Sequence, residues 1–172
     1  MSAPSMDDEV PSRPMRRAER EVVDRASLDE ILQKAPVLAL ALRADPAPYV
    51  VPVCFGFDAG TLYVHGALAG AKIDLLRADP VVGFCAWTGP AIREGGSACD
   101  FSMSARSVVG TGRARILEDP EECRFGLDAI MRHYAPGATG TPVYRPQSLS
   151  RTAVIAVRID TLRGKQLGHD AS

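Results

Sequence analysis

The stretch Thr61–Pro80, TLYVHGALAGAKIDLLRADP, joins a strand to a helix through a short loop bounded by glycines. Polar and apolar side chains alternate from Thr61 to His65, which is the pattern of a strand with one buried face. Apolar residues then recur at helical spacing over Ile73–Leu76, until Asp79-Pro80 ends the pattern. The sequence therefore predicts a strand, a loop and a helix in succession, with Lys72 in or just before the first helical turn.

The position of Lys72 indicates an anion site. A positive charge at a helix N-terminus is unfavourable by roughly 0.3 to 1 kcal/mol, and no carboxylate precedes Lys72 in the loop. Backbone amides at such a terminus bind phosphate, and Gly66 and Gly70 allow the ligand to approach closely. A lysine that extends into solvent beside an ordinary turn would explain the same residues.

Two glycine patterns in the chain do not match nucleotide-binding motifs. Only three residues separate Gly66 from Gly70, and Ile73 stands where a triphosphatase loop has the Ser or Thr that binds magnesium. The segment 110–112, GTG, is followed by a strand pattern over Arg113–Leu117, where the dinucleotide-binding motif requires a helix. Neither triphosphate hydrolysis nor a Rossmann fold is therefore expected.

The composition favours one domain and excludes several classes of function. The chain has 172 residues, 46% of them hydrophobic, and 20 Lys plus Arg against 21 Asp plus Glu. A net charge of −1 gives no reason to expect a nucleic-acid partner. The sequence shows neither the apolar core of a signal peptide nor a run long enough to span a membrane, so a cytoplasmic location is expected.

The cysteines do not form a recognisable site. They are widely separated, with no CxxC pair and no histidine at metal-ligand spacing, so no metal site or disulfide framework is expected. Most of them should be buried as small hydrophobic residues, and a catalytic or ligating cysteine is the less favoured alternative. The four are Cys54, Cys85, Cys99 and Cys123.

The N-terminal half predicts a tail, a helix and a hairpin. Residues 1–13 have the composition of a disordered tail, and the capping box Ser27–Glu30 opens a helix that ends before Pro36. Val37–Leu42 is expected to be a buried strand paired with a second strand over residues 48–58. Pro52 lies within that second strand, which is tolerated at a sheet edge, at a bulge or beside a bound ligand. The turn signal Asp58-Ala59-Gly60 then leads into the strand at Thr61.

The C-terminal half predicts a long bent strand and a strong helix. The apolar register changes within Phe101–Glu118, so a bulge is expected at residues 110–112. A helix should begin at Asp119-Pro120, where an N-cap, a proline and two acidic residues coincide. Its His133 lies beside the apolar stripe and is more readily explained as a helix-end residue than as a functional one. Residues 88–100 and 135–150 are expected to be loops, the second either disordered or a lid.

Further strands are predicted over Val81–Trp87 and Thr152–Asp160. The expected fold is a β-rich α+β domain over residues 14–165, with tails at 1–13 and 166–172. About six strands joined by turns or short helices favour a six-stranded antiparallel split β-barrel with a few flanking helices over an open parallel sheet.

Several segments in this order resemble one family. They are VVPVCFGFDAGTLYVHGALAGAKIDLLRADP (50–80), RSVVGTGRA (106–114), EDPEE (118–122), IMRHY (130–134) and Gly164-Lys165. Together they are similar to the FMN-binding split-barrel proteins related to pyridoxamine 5′-phosphate oxidase, and most similar to their nitroimidazole-resistance branch. The pyridoxal-binding arginines of true pyridoxamine oxidases have no match, so oxidation of vitamin B6 is not expected.

The resemblance implies a homodimer with FMN at the subunit interface and a small-molecule substrate. On this pattern Lys72 holds the flavin phosphate with backbone around Gly66 and Ala71, and His65 lies near the ring as a candidate proton donor. The remaining residues implied to bind the cofactor are Val50, Val51, Pro52 and Val53 along the ring and Arg106 and Ser107 toward the partner subunit's flavin. The implied activity is oxidoreduction between a nicotinamide donor and a small acceptor, which includes nitroaromatics. The alternatives are a flavin-binding protein without turnover and a pocket for haem or a deazaflavin, with His65 as a candidate haem ligand.

Overall fold

A computed structural model describes residues 14–168. The strands are β1 (Glu21–Val22), β2 (Leu38–Leu42), β3 (Tyr49–Val53), β4 (Phe55–Asp58), β5 (Thr61–Ala67), β6 (Val81–Arg93), β7 (Ser102–Ile116) and β8 (Thr152–Leu167). The helices are α1 (Arg25–Lys34), α2 (Ala71–Ala78), α3 (Pro120–Tyr134) and α4 (Pro146–Leu149), and a 3-10 turn covers Ala18–Arg20. The predicted N-terminal tail and residues 169–172 lie outside the described residues.

The strands form one antiparallel sheet in the order β3-β2-β6-β7-β8-β5-β4, with β1 paired to β8. The predicted β-rich α+β class is confirmed, but the described chain has eight strands rather than six. The segment expected as one strand over 48–58 is divided at Cys54 into β3 and β4, and β1 adds a short strand. Strands β3 and β4 lie at opposite ends of the strand order, but only Cys54 separates them along the chain. The sheet therefore curls until its two ends meet.

The main hydrophobic core lies inside the curled sheet and beneath α1. Alternate side chains of each strand point into it, including Leu38 and Leu40 of β2, Leu62 and Val64 of β5. Helix α3 packs on the outer surface of β5 and β8, where a second, smaller cluster forms. That cluster consists of Leu117, Leu127, Ile130 and Val154. The two clusters leave β5 covered on both faces.

The C-terminus of α3 is hydrogen-bonded to the point where β3 and β4 separate. The Phe55 N–H donates to the Tyr134 hydroxyl at 3.1 Å, and that hydroxyl donates to the Pro36 carbonyl at 2.9 Å. His133 Nε2 lies 2.8 Å from the Ala35 carbonyl oxygen, and its ring packs on Phe55 with 4.6 Å between centroids. His133 is therefore in a structural position, in agreement with its interpretation as a helix-end residue.

Several boundaries differ from the sequence-based prediction. Helix α1 begins at Arg25, because Asp24 rather than Ser27 is its N-cap and accepts a hydrogen bond from the Ser27 amide at 2.8 Å. The first part of the predicted loop over 88–100 is strand, since β6 continues to Arg93 after a register shift between Thr88 and Ala91. Strand β8 runs to Leu167, beyond the predicted strand end at Asp160.

Other local predictions are confirmed. A register shift lies between Thr111 and Gly112 in the pairing of β7 with β8, which is the predicted bulge. Helix α3 begins after Asp119, whose carboxylate accepts hydrogen bonds from the amides of Glu121 and Glu122 at 2.9 Å.

The prediction that most cysteines are buried is wrong: Cys54 and Cys99 are exposed, and the other two are partly exposed. Neither of the exposed residues lies inside a strand or helix, so no core packing covers them.

Candidate functional site

The candidate site begins at the junction between β5 and α2. Strand β5 is fixed along its length by β8, with Ala67 opposite Thr152. The chain then turns at Gly70, whose φ of 117° lies in a region that residues with a side chain rarely adopt. Gly70 is also the N-cap of α2, and no side chain caps the helix within the described residues. The amides of Ala71 and Lys72 at the start of α2 are therefore available to an anion.

Lys72 folds back over the last residues of β5. Its Nζ donates to the carbonyl of His65 at 3.5 Å, and a Cβ added at Gly66 would lie 2.8 Å from that Nζ. Burial lowers the pKa of Lys72 below its ordinary value, and no acidic group acts on it in the opposite direction. Within residues 14–168, Lys72 has no ion pair. The junction thus holds a partly buried positive charge that no side chain compensates.

His65 lies next to this charge. Burial lowers the pKa of the imidazole below its ordinary value, and the charge of Lys72 lowers it further. The ring makes no hydrogen bond to any residue in the described part of the chain. It faces a cavity of about 270 Å³, which we call the His65 cavity. The other lining residues are Leu127, Ile130, Met131, Tyr144, Ser148, Leu149 and Thr152.

Strand β3 approaches the junction from the other side. Because Phe55 of β4 is paired with Val64, the preceding Cys54, which joins β3 to β4, lies close to His65. Strand β3 ends the strand order, so the interpretation of Pro52 as an edge-strand proline is confirmed.

The four predicted ring-contacting residues of β3 do not share one face. Val51 and Val53 are opposite the core residues Leu40 and Leu38, whereas Val50 and Pro52 are opposite Ala41 and Ala39 and are exposed. Residues directly opposite each other in a pair lie on the same face of a sheet. Only Val50 and Pro52 therefore present side chains to a ligand on the outer surface.

Arg106 and Ser107 point to opposite faces of β7, because they are consecutive residues of one strand. Arg106 contacts α1: its Nη1 donates to Glu30 at 2.7 Å and its Nη2 donates to the Ser27 carbonyl at 3.4 Å. Its Nε is buried without a partner in the described residues. Hydrogen bonds from Lys34 and Arg106 lower the pKa of Glu30 to about 2.

The structure therefore brings His65, Gly66, Ala71 and Lys72 together, and places Val50, Pro52 and Ser107 on the outer surface. Sequence reasoning missed the wall that α3 and α4 contribute to the His65 cavity. The apolar stripe of α3 and the length of the 135–150 segment were visible signals. Neither signal indicates that α4 (Pro146–Leu149) forms within that segment and lies against His65. The prediction of either disorder or a lid over a site there remains a prediction.

The sequence of the chain matches a known protein family over most of its length. The profile of pyridoxamine 5′-phosphate oxidase matches residues 24–166, which is most of the chain. The chain belongs to the pyridoxamine 5′-phosphate oxidase family. The predicted resemblance is thus confirmed at the level of this family. The matched residues include β2 to β7 and all but the last residue of β8. A comparison with curated proteins found no match.

Solved structures similar to this family member include flavin and haem proteins. A candidate 5-nitroimidazole antibiotic resistance protein from Bacteroides thetaiotaomicron is 29% identical, with a TM-score of 0.73 and coverage of 85% of this chain and 86% of that protein. The flavocytochrome Anf3 from Azotobacter vinelandii is 22% identical, with a TM-score of 0.76 and coverage of 90% and 72%. An FAD- and heme-binding protein from Mycobacterium smegmatis is 22% identical, with a TM-score of 0.77 and coverage of 89% and 77%. The last two likenesses concern the fold alone.

The helices of this pyridoxamine 5′-phosphate oxidase family member are short. Among the described residues, no helix combines the length and apolar character that a membrane span requires.

Proposed function

We propose that this protein is an FMN-dependent oxidoreductase in which Lys72 holds the flavin phosphate. The observation that carries the proposal is the uncompensated, partly buried ammonium of Lys72 at the uncapped N-terminus of α2. A phosphate group would supply the missing negative charge and would accept hydrogen bonds from the amides of Ala71 and Lys72. Because Gly66 has no side chain, the ammonium can lie close to the backbone of β5 at the start of α2.

The remaining residues fit a flavin that extends from this phosphate site. Val50 and Pro52 offer an apolar surface of β3 to a planar ring, and His65 offers a ring N–H close by. The lowered pKa of His65 keeps its imidazole mainly neutral near neutral pH, so it can donate a hydrogen bond without carrying a charge. A bound flavin would supply the hydride and electron transfer between a nicotinamide donor and a small acceptor, while the protein positions both.

The acceptor proposed first is a small nitroaromatic compound. Its support is the 29% identity to the Bacteroides candidate 5-nitroimidazole resistance protein over most of both chains. The His65 cavity, at about 270 Å³, is larger than the roughly 150 Å³ cavity that accommodates benzene in an engineered protein. A substituted aromatic ring therefore fits its size and its mainly apolar lining.

We further propose that two copies of the chain form a homodimer with the cofactor between them. The outward-facing residues at the centre of β2, β6 and β7 are mostly small or apolar, and two large apolar side chains among them are partly exposed, Trp87 at 40% and Val109 at 52%. An apolar sheet face of this kind is a typical protein interface. Ser107 lies on this face, where it could reach the partner subunit's flavin.

Counting β3 and β4 as one interrupted strand and omitting β1 yields the six-stranded split barrel of this proposal.

Two other functions use the same residues. A flavin-binding protein without turnover would need the phosphate site but no acceptor site. A haem or deazaflavin protein would use the same curled sheet, and His65 would then be a candidate axial ligand. The haem alternative is included because two proteins of this fold, the Azotobacter flavocytochrome and the Mycobacterium FAD- and heme-binding protein, combine flavin with haem.

An absorption spectrum separates these functions. The purified protein is measured as isolated, and again after loading with FMN and removal of the excess. Retained flavin bands that are bleached by NADH or NADPH and restored by a nitroaromatic acceptor support the oxidoreductase. Retained flavin that neither donor reduces supports binding without turnover. A Soret band favours haem, and the absence of any retained chromophore after loading contradicts the FMN proposal.

The role of His65 has its own test. The variant His65→Ala should bind FMN almost as tightly as the wild type but should reduce the acceptor more slowly. His65→Gln, which keeps an N–H donor, should recover part of the rate. An unchanged turnover number in His65→Ala would remove His65 from the mechanism.

A further inference from the structure

The His65 cavity continues into a second cavity beneath α4. The second cavity has a volume of about 470 Å³, and we call it the distal cavity. Three residues line both cavities: Leu127 of α3, Leu149 of α4 and Thr152 of β8. The other residues of the distal cavity are Leu117, Glu118, Pro120, Cys123, Arg124, Pro146, Ser150 and Val154. The two cavities thus form one elongated cleft between α3 and the α4 segment.

Polarity changes along this cleft. One end carries the unpartnered His65 ring, and the shared middle is formed mainly by Leu127 and Leu149. Charged groups appear again at the distal cavity, where Glu118 and Arg124 are exposed. A ligand that matches this order has a polar or redox-active ring at one end and an aliphatic portion behind it.

The segment that contains α4 covers the cleft and is hydrogen-bonded to its neighbours on both sides of the helix. The Tyr144 hydroxyl donates to Asp128 of α3 at 2.6 Å, and the Thr152 hydroxyl donates to the Ser148 carbonyl at 2.8 Å. The guanidinium of Arg124 lies 5.7 Å from the centre of the Tyr144 ring and donates to the Pro142 carbonyl at 3.3 Å. These contacts join the segment before α4 to α3 and join α4 itself to β8.

We infer that the acceptor of this protein is an uncharged aromatic compound with an aliphatic chain, whose ring lies at His65 and whose chain passes Leu149 into the distal cavity. The inference rests on the proposed function, since it extends the acceptor site at His65. A small nitroaromatic ring alone would fill only the His65 cavity. The additional 470 Å³ of mainly apolar space is suited to several methylene groups.

Chain-length dependence of binding tests the inference. A series of 4-nitrophenyl alkyl ethers, from methyl to hexyl, is titrated calorimetrically into the full-length protein without reductant, both FMN-loaded and flavin-free. Each added methylene should tighten binding about fourfold, which corresponds to about 0.8 kcal/mol per buried methylene. The same affinity for all members of the series would overturn the inference.

Two variants locate the effect. Leu149→Asp places a charge in the shared middle of the cleft on a residue that is already 38% exposed, so it should abolish the dependence on chain length. Val143→Asp is the matched control, because Val143 belongs to the same segment, is 94% exposed and lines neither cavity. It should preserve the dependence. A chain-length dependence that survives in Leu149→Asp would overturn the inference.

The outcomes also separate this inference from the proposed function. If the protein binds FMN and turns over, but its affinity for the ethers does not depend on chain length, the chain-binding cleft is rejected and the proposed oxidoreductase function is not. A steep series that disappears in Leu149→Asp, in a protein that retains no FMN, would support the cleft and reject the cofactor.

Discussion

The ammonium of Lys72 lies directly over the backbone of Gly66, at the point where β5 turns into α2. A Cβ added at Gly66 would be 2.8 Å from Lys72 Nζ and 3.2 Å from its Cε. The glycine therefore provides the space that the lysine occupies. Since Lys72 is flexible at its far end, a larger residue at this position would displace the charge without disturbing the sheet.

Replacing Gly66 should weaken phosphate binding without unfolding the protein. In Gly66→Ala the new methyl group pushes the ammonium of Lys72 away from its position, so FMN affinity should fall while the free energy of unfolding changes little. Gly56→Ala is the contrasting control, because a Cβ at Gly56 would collide with the backbone of Ala129 in α3. It should lose about 1 to 3 kcal/mol of stability in urea unfolding. Equal destabilisation by the two substitutions would contradict this interpretation of Gly66.

Tyr134 should contribute to stability through its hydroxyl. Tyr134→Phe removes the acceptor of the Phe55 N–H and the donor to Pro36 while keeping the ring. Because Phe55 is fully buried, its amide would be left without a partner, at a cost of about 1 to 3 kcal/mol. Urea unfolding measures the loss. Tyr49→Phe serves as a control, since the Tyr49 hydroxyl makes no hydrogen bond within the described residues. A Tyr134→Phe variant as stable as the wild type would exclude this role.

The charge of Lys72 should be detectable in the titration of His65. Burial is the larger cause of the lowered pKa of His65 and the charge of Lys72 is the smaller one. Lys72→Gln should therefore raise the pKa of His65 while leaving it below its ordinary value of 6.5. Lys72→Arg, which keeps the positive charge, should leave it lowered. Imidazole chemical shifts followed by NMR over a pH series give both values, and an identical pKa in Lys72→Gln would show that the two groups are not coupled.

Local signals in the sequence predicted the elements whose causes are local. Helix α3 was predicted at its observed start because Asp119 and Pro120 act on adjacent backbone groups. The hairpin between β4 and β5 and the bulge at Thr111/Gly112 follow in the same way from turn residues and a change in register. Strand–loop–helix periodicity likewise placed Lys72 at the start of α2.

Contacts between distant segments account for what the sequence did not predict. Residues 48–58 divide into β3 and β4 at a point that is hydrogen-bonded to the Tyr134 hydroxyl, 79 residues from Phe55. The ion pair of Arg106 with Glu30, 76 residues away, was not predicted either. The His65 cavity combines residues of β5, α3, α4 and β8, and no single stretch of sequence contains that combination.

Flavin binding to Lys72→Ala tests the central claim most directly, because FMN and riboflavin differ only in the phosphate. Fluorescence titration of both flavins against the wild type, Lys72→Ala and the surface control Lys34→Ala gives all the affinities that are needed. A charge-assisted contact contributes about 1.5 to 3 kcal/mol, so FMN affinity in Lys72→Ala should fall by roughly 10- to 150-fold. Riboflavin affinity, and both affinities in Lys34→Ala, should stay within about twofold. Equal losses for FMN and riboflavin in Lys72→Ala would contradict a phosphate site at Lys72.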